Sequence, residues 1–410
     1  MVSSQNRTHK KAHIFLCMCI AFCLPIARLT PIFIALMLLN WLIEGDFKNK
    51  FLVIGKNKFA LLFIAFYVMH LIGLLYTQNM DAGFFDVQVK LSLLVFPIIL
   101  ASRPIEKEKI RMIFFAFIAG GIVSSLIMLS RAIYTYAAFG ENNFFYQAFS
   151  FLIHPSYLSM YFNFCIAWLL MNILNRSFTH RFSNLFSFLV IIFFSFIIIL
   201  LLSKLGLITL ILLYTGFLIY FIISRKKYLI GLAGLLLVIV SVYSVIRFVP
   251  AVGDRVHNAV EAITNSSGKQ TDIESTAVRM LVWKAANQVV SENFLFGTGT
   301  GDSREVLMKE YEKRGMTGAI EHKLNTHNEF YQVFVSIGLI GFILLISSLF
   351  LPLIYAFRTS NSVYILFILI LILNFLPESM FETQAGVMFY AFFNSLLCFS
   401  SSNKQPITNN

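Results

Sequence analysis

Charge is what this chain has least of. Asp, Glu, Lys and Arg make up 13% of its 410 residues, against about a quarter in an ordinary soluble domain. Water is therefore not its main solvent. A large soluble all-α fold is excluded as well, because 58% hydrophobic residues and 45 Phe form more apolar surface than such a fold could hide. Cysteine is scarce too: Cys17, Cys19, Cys23, Cys165 and Cys398 all fall inside apolar runs. That placement speaks against a disulfide framework or a zinc site, and the close trio Cys17, Cys19 and Cys23 reads as small apolar packing. Internal repeats and coiled-coil heptads are absent. The net charge of +12 does not indicate a nucleic-acid binder, because the basic residues sit in short clusters between apolar runs, as in a polytopic membrane protein.

Apolar runs are what the chain has in plenty. Judged against the ~20 residues needed to cross a bilayer, about twelve transmembrane helices are expected, at 12–27, 30–44, 58–76, 88–102, 109–132, 155–174, 185–202, 205–223, 227–249, 328–351, 361–376 and 380–400. The first two flank Pro25 and Pro31, and one hairpin that fails to cross is the alternative there. The N-terminus is basic and then apolar, like a signal peptide. Pro25 and Arg28 follow instead of a small-residue cleavage site, so it reads as a retained first helix.

Charge placement gives an orientation. With the N-terminus in the cytoplasm, alternate loops carry Arg7, Lys10 and Lys11, then Lys48, Lys50, Lys56 and Lys58, then Arg103, Lys107, Lys109 and Arg111, and later Arg225, Lys226 and Lys227. The opposite short loops carry only Arg28, Lys90, Arg131 and Lys204. The positive-inside rule then puts both termini in the cytoplasm and the one long polar interval outside. The expected fold is an all-α polytopic membrane protein with one large helical outer loop. It divides into an N-terminal bundle of about nine spans (1–249), the loop (250–328), C-terminal transmembrane helices (329–400) and a disordered tail (401–410).

The loop is where polar chemistry would sit. Asn265-Ser266-Ser267-Gly268 reads as a turn. Ser275 to Asn293 has helical character, with Arg279, Trp283, Ala286 and Val290 on one face. Arg304 to Arg314 is a second helix candidate, with Leu307 and Tyr311 on one side. Both are expected to lie on the membrane surface. Gly297-Thr298-Gly299-Thr300-Gly301 lacks the Gly-Lys-Ser/Thr ending and the preceding strand of a phosphate loop. A plain turn is the first reading, and a backbone approach to phosphate the second. Thr326-His327-Asn328-Glu329 before an apolar run has the form of a capping box. Thr326 would cap, and His327 would occupy the first helical position, where the dipole disfavours positive charge. A neutral imidazole there suits a general base; a surface histidine beside a cap is the plainer alternative.

Other polar groups lie at membrane edges. Lys204 sits between two apolar runs and is either snorkelling or functional. His154-Pro155-Ser156-Tyr157 opens the sixth span on the outer side. Asp86 and Lys90 read as a structural pair, His70 as a hydrogen-bonded packing residue, and Glu378, Glu382 and Gln384 as costly polar groups near the last span.

In order along the chain, these features resemble the O-antigen ligase and polymerase superfamily. The resemblance rests on Arg279 with Trp283, the Gly-x-Gly turn, and His327-Asn328 leading to Gly338-Leu339-Ile340-Gly341. Ser203-Lys204-Leu205-Gly206, His154-Pro155-Ser156-Tyr157 and Glu378-Ser379…Gln384-Ala385-Gly386 add to it. The resemblance implies an inverting glycosyltransferase of the bacterial inner membrane that needs neither a metal nor a cofactor, with the loop in the periplasm. Its donor would be a glycan on undecaprenyl pyrophosphate, and its acceptor a hydroxyl, most simply that of lipid A–core. Carried over, His327 would take the acceptor proton and Arg279 would stabilise the leaving pyrophosphate. Lys204 stands where the family usually has arginine, so a point charge replaces a bidentate fork. His154, Tyr157, Asn328 and Trp283 would contact substrate. An O-antigen polymerase or an O-linked protein glycosyltransferase is the alternative within the superfamily, and a transporter or lipid flippase the alternative outside it. The single dominant outer loop favours the ligase, and the lack of a repeat disfavours the transporter.

Overall fold

The computed structural model describes residues 2–26, 28–175, 181–254, 257 and 276–400. The turn expected at Asn265–Gly268 and the tail 401–410 lie outside them. The described residues are helical, without strands. Among the described residues, nine helices are long and apolar enough to cross a membrane, or ten if a bent pair is one span. This falls short of twelve by length, although a helix stands in every expected run. The last two, α17 (Ser362–Phe375) and α18 (Gln384–Cys398), are shorter apolar helices.

The bent pair includes the second of the two runs that carried the hairpin alternative, whereas the first, within Arg7–Ile26, is by itself long and apolar enough to cross. Helix α1 (Val2–Cys23) continues into a short 3-10 turn. Helices α2 (Thr30–Glu44) and α3 (Phe47–Lys56) then meet at 114°. Gly45 and Asp46 make the corner, both with positive φ. Lys50, expected as a loop cation, is buried instead. Its Nζ donates to the Trp41 carbonyl at 2.6 Å and pairs with Glu44 at 2.9 Å, which meets the cost of burying a charge.

Helices α4 (Lys58–Gly73), α5 (Met80–Lys90), α6 (Ser92–Ser102) and α7 (Lys107–Phe139) follow. After the single turn α8 (Tyr146–Phe149), α9 (Pro155–Leu174) is buried from Pro155 through Leu170. It is the central helix, ringed by α10 (Arg181–Leu201), α11 (Lys204–Arg225), α17 and α7. The abundance of Phe is explained here. Phe117, Phe164, Phe367, Phe389 and Phe393 interlock with ring centroids 4.9–6.5 Å apart, a spacing at which aromatic pairs attract beyond simple burial. Helix α12 (Tyr228–Phe248) packs on α11 through Gly231 and Gly234, and most of its surface is exposed, as suits a lipid-facing helix.

The polar segment that follows α12 carries its own small core. Val282, Ala286 and Val289 of α13 (Thr276–Glu292) pack with Leu307 and Tyr311 of α14 (Ser303–Lys313) and Ala319 of α15 (Thr317–Glu321). The apolar faces expected on the membrane surface are thus turned against each other.

Helix α16 (Glu329–Arg358) is broken at Ile337 and Gly338, and the glycine turn fills the break. Thr298 N donates to Val335 O at 2.8 Å, Gly299 N to Ser336 O at 3.0 Å, and Leu339 N to Phe294 O at 2.9 Å. Gly297 N, Thr300 N and Gly301 N are bonded to Asn293 O, Gly73 O and Thr77 Oγ1. No amide of the turn is left for a phosphate, so the plain-turn reading holds and the phosphate reading does not. The two glycine motifs explain each other: a Cβ on Gly338 would lie 2.5 Å from Gly297 N, and one on Gly297 2.6 Å from Gly338 N.

Gly338 also has φ +65 with ψ −163, a region essentially reserved for glycine. Gly338→Ala should therefore destabilise by at least ~1–3 kcal/mol, read as a lower thermal midpoint of the detergent-solubilised protein. Gly216→Ala, where a Cβ meets nothing within 4 Å, should be neutral.

Candidate active site

The site is built on non-helical backbone where four segments meet. His327 precedes α16, and its expected place is corrected. Asn328, not Thr326, is the N-cap, its side chain accepting from Tyr331 N at 3.1 Å. His327 therefore lies outside the helix, with φ +45. That left-handed conformation is uncommon for a residue with a Cβ and persists only when the surroundings impose it.

Those surroundings are explicit. His327 N donates to Asn325 Oδ1 at 3.0 Å. Thr326 is fully buried, its Oγ1 within hydrogen-bond reach of Asn328 O, Gln332 Oε1 and Ser379 Oγ at 2.8–3.1 Å. Asn328 N donates to Ser379 Oγ at 3.2 Å. Glu329, expected to close the capping box, turns inward and accepts from Phe381 N at 2.8 Å. A Ser or Thr cap would leave the chain in an ordinary helix start. Here, polar contacts with residues 379–381 override it.

Arg279 comes from the first turns of α13, and its neighbour Trp283 fixes that helix over the site. The indole Nε1 donates to Thr326 O at 2.9 Å, and the ring stacks on Tyr331 at 6.5 Å. The group that joins Arg279 to His327 is Glu378, in the link between α17 and α18. Its Oε1 lies 3.1 Å from Arg279 Nη2, and its Oε2 lies 3.7 Å from His327 Nδ1. The second distance is an ion-pair separation, longer than a hydrogen bond. Ser156 Oγ donates to Glu378 Oε1 at 3.4 Å.

Burial pushes the Glu378 carboxyl up. The His327 imidazole, the Arg279 guanidinium and the more distant His154 outweigh it and hold the group below the usual carboxylate range. All three partners are partly open: Arg279, His327 and Glu378 retain 27%, 25% and 17% exposure, so a ligand can reach a charged cluster that is nonetheless mostly dry.

Other expected residues line up behind this centre. His154 caps α9, accepting from Ser156 N at 3.4 Å, and its ring lies 6.0 Å from that of Tyr157. Tyr157 is buried against Gly386. Ser203 caps α11 by accepting from Gly206 N at 3.1 Å. Gly206 packs on Ser159, with its carbonyl accepting from Asn163 Nδ2 at 3.0 Å. Lys204 thus opens α11 two residues before the point where Gly206 meets the second turn of α9. The structure joins Arg279 to His327 through Glu378 and links His154 to the same carboxylate by way of Ser156, whereas Trp283 and Asn328 contribute by fixing backbone and Tyr157 by packing. Glu378, Ser379 and Ser156 were not expected as site residues. The available signal was the cost of a carboxylate at a membrane edge, which requires a counter-charge.

Residues 188–346 match the family model described as O-Antigen ligase. That stretch contains Lys204, Arg279, Trp283, the glycine turn and His327-Asn328, and excludes His154, Tyr157 and Glu378. The chain is also 27% identical over 135 residues to an uncharacterized protein of Haemophilus influenzae, covering 30% of this chain and 33% of that relative. The chain thus matches about a third of that relative's length.

The depressed carboxyl makes a signed prediction. Glu378 should contribute stability that is complete above the ordinary glutamate value of ~4.3 and is lost as pH falls through its lowered value. The thermal midpoint difference between wild type and Glu378→Gln should shrink as pH falls below about pH 4. A difference that instead grows below that pH would contradict the pairing.

Proposed function

We propose that this chain, which carries an O-antigen ligase superfamily domain in a bundle of membrane-spanning helices, is an inverting glycosyltransferase. Superfamily membership implies a ligase- or polymerase-type protein of a bacterial membrane that acts on glycans. The finer reading is that it takes a glycan from undecaprenyl pyrophosphate and joins it to an acceptor hydroxyl, by O-antigen ligation to lipid A–core, in the periplasmic leaflet of the inner membrane.

The observation that carries this reading is the single carboxylate shared by an imidazole and a guanidinium at a partly open, membrane-edge site. With Nδ1 turned to Glu378, His327 Nε2 is left to accept the proton of the acceptor hydroxyl. That oxygen attacks the anomeric carbon from the face opposite the carrier, the carbon–oxygen bond to the pyrophosphate breaks, and the electron pair leaves with the phosphate. Glu378 stabilises the imidazolium that forms, as a buried carboxylate does for a general-base histidine. Arg279 is already held beside the site and neutralises charge developing on the leaving group. Lys204, at the mouth of α11, supplies a second positive charge for the same diphosphate. An activated lipid diphosphate needs no nucleotide, which suits a site outside the cytoplasm.

Purified protein in nanodiscs, given a lipid-linked glycan and lipid A–core, should transfer the glycan. His327→Ala should lose about 10²–10⁴-fold in kcat. Arg279→Lys should fall well below wild type despite keeping its charge, because a point charge replaces the fork. Glycan appearing on a second carrier-linked repeat instead of lipid A–core would identify a polymerase. Unchanged transfer in both variants would remove the site.

A further inference from the structure

The link 376–383 between α17 and α18 carries Glu378, and it is held from two sides. One side is the site itself: Arg279, His327 and Ser156 on Glu378, and Asn328 N on Ser379. The other side comes from within the membrane-spanning bundle. Lys90, at the end of α5, is 2% exposed. Its Nζ contacts Asp86 one turn earlier and reaches Glu382 Oε1 at 3.4 Å. Asp86 Oδ2 lies 3.8 Å from His70 Nδ1, and both are buried atoms without a hydrogen bond among the described residues. The hydrogen-bonded role expected for the His70 ring is therefore not met, whereas the Asp86–Lys90 pair is. Between the two holds, Phe381 N is fixed by Glu329, two residues beyond His327.

An ammonium group inside an apolar bundle is costly and persists where it does something that an apolar side chain cannot. A methionine would fill the same space without that cost. What it could not do is attract Glu382. We infer that Lys90 is a positioning residue: by holding Glu382, it fixes the link that presents Glu378 to Arg279 and His327. The catalytic half of this inference rests on the transfer reaction proposed above; the mechanical half does not.

Full-length protein in nanodiscs tests both halves through Lys90→Met, Glu382→Gln and the double variant. Two readouts are needed. One is kcat, KM and the acid limb of the kcat/KM profile. The other is hydrogen–deuterium exchange of amides 378–383. Glu378→Gln serves as the reference for loss of the carboxylate that faces His327; the other charged groups around that carboxylate are Arg279 and His154.

Each single variant should lose about tenfold to a hundredfold in kcat, the scale expected when a reacting group is misplaced by about 1 Å. KM should change far less. The acid limb should move in the same direction as in Glu378→Gln, because both take a carboxylate away from an imidazole. Exchange at 378–383 should speed up, and the double variant should be no worse than the worse single one. Wild-type kcat, acid limb and exchange in the folded variants would overturn the inference. So would a loss of activity with an unmoved acid limb, which is the mark of a merely structural lysine. Should Lys90→Met fail to fold, Glu382→Gln decides alone, because it leaves the Lys90–Asp86 pair intact. Should wild type transfer no glycan, the function proposed above fails and the catalytic half with it. Exchange at 378–383 then decides the mechanical half by itself.

Discussion

A half-buried carboxylate must find positive charge, and Glu378 organises this protein's candidate site by that requirement. It lies in a link between two short helices, far along the chain from both its partners. Left unpaired it would carry the desolvation penalty of an ion in a dry site. Satisfying it draws α13 inward through Arg279, sets His327 at the head of α16, and engages the first turn of α9 through Ser156. The same contacts leave the imidazole with Nδ1 toward the carboxylate.

The second constraint is backbone hydrogen bonding near a membrane. Irregular backbone is tolerated there only where it is buried in protein or lines a polar cavity. The break in α16 frees carbonyls at Val335 and Ser336, and the glycine turn supplies amides to meet them. The turn therefore docks the polar segment onto the spanning helices, with its amides already bonded to protein. With α13 pinned at its C-terminal end by this insertion and at Trp283 by the Thr326 carbonyl, Arg279 has little freedom to leave the site. The small core of α13, α14 and α15 closes on itself, so this segment has apolar partners of its own.

Much of this could be read in the residues. Helix-length apolar runs predicted where helices stand, because twenty apolar residues in lipid have one good backbone solution. The pair Asp86–Lys90 followed from spacing by one turn. His327 and Arg279 stood out by their place in a polar interval and by resemblance. What misled was local chemistry. Thr-x-x-Glu has the form of a capping box, yet Asn328 caps, because Ser379 and Phe381 compete for the same backbone and side-chain groups. The Gly-x-Gly turn suggested two fates, and only the position of the broken helix, forty residues on, chose between them. Helix faces rich in Val and Ala suggested a membrane surface when their partners were each other.

By itself the sequence determined the solvent, the helical class, the run of spans and two of the charged site residues. These depend on composition and short-range periodicity, which a chain carries wherever it folds. Tertiary structure decided the roles: which residue caps, which glycine fills which gap, and above all that Glu378 joins Arg279 to His327. The reason is that charge pairing in a low-dielectric interior is set by distance in space. Ninety-nine residues separate Glu378 from Arg279, and no local pattern records that separation.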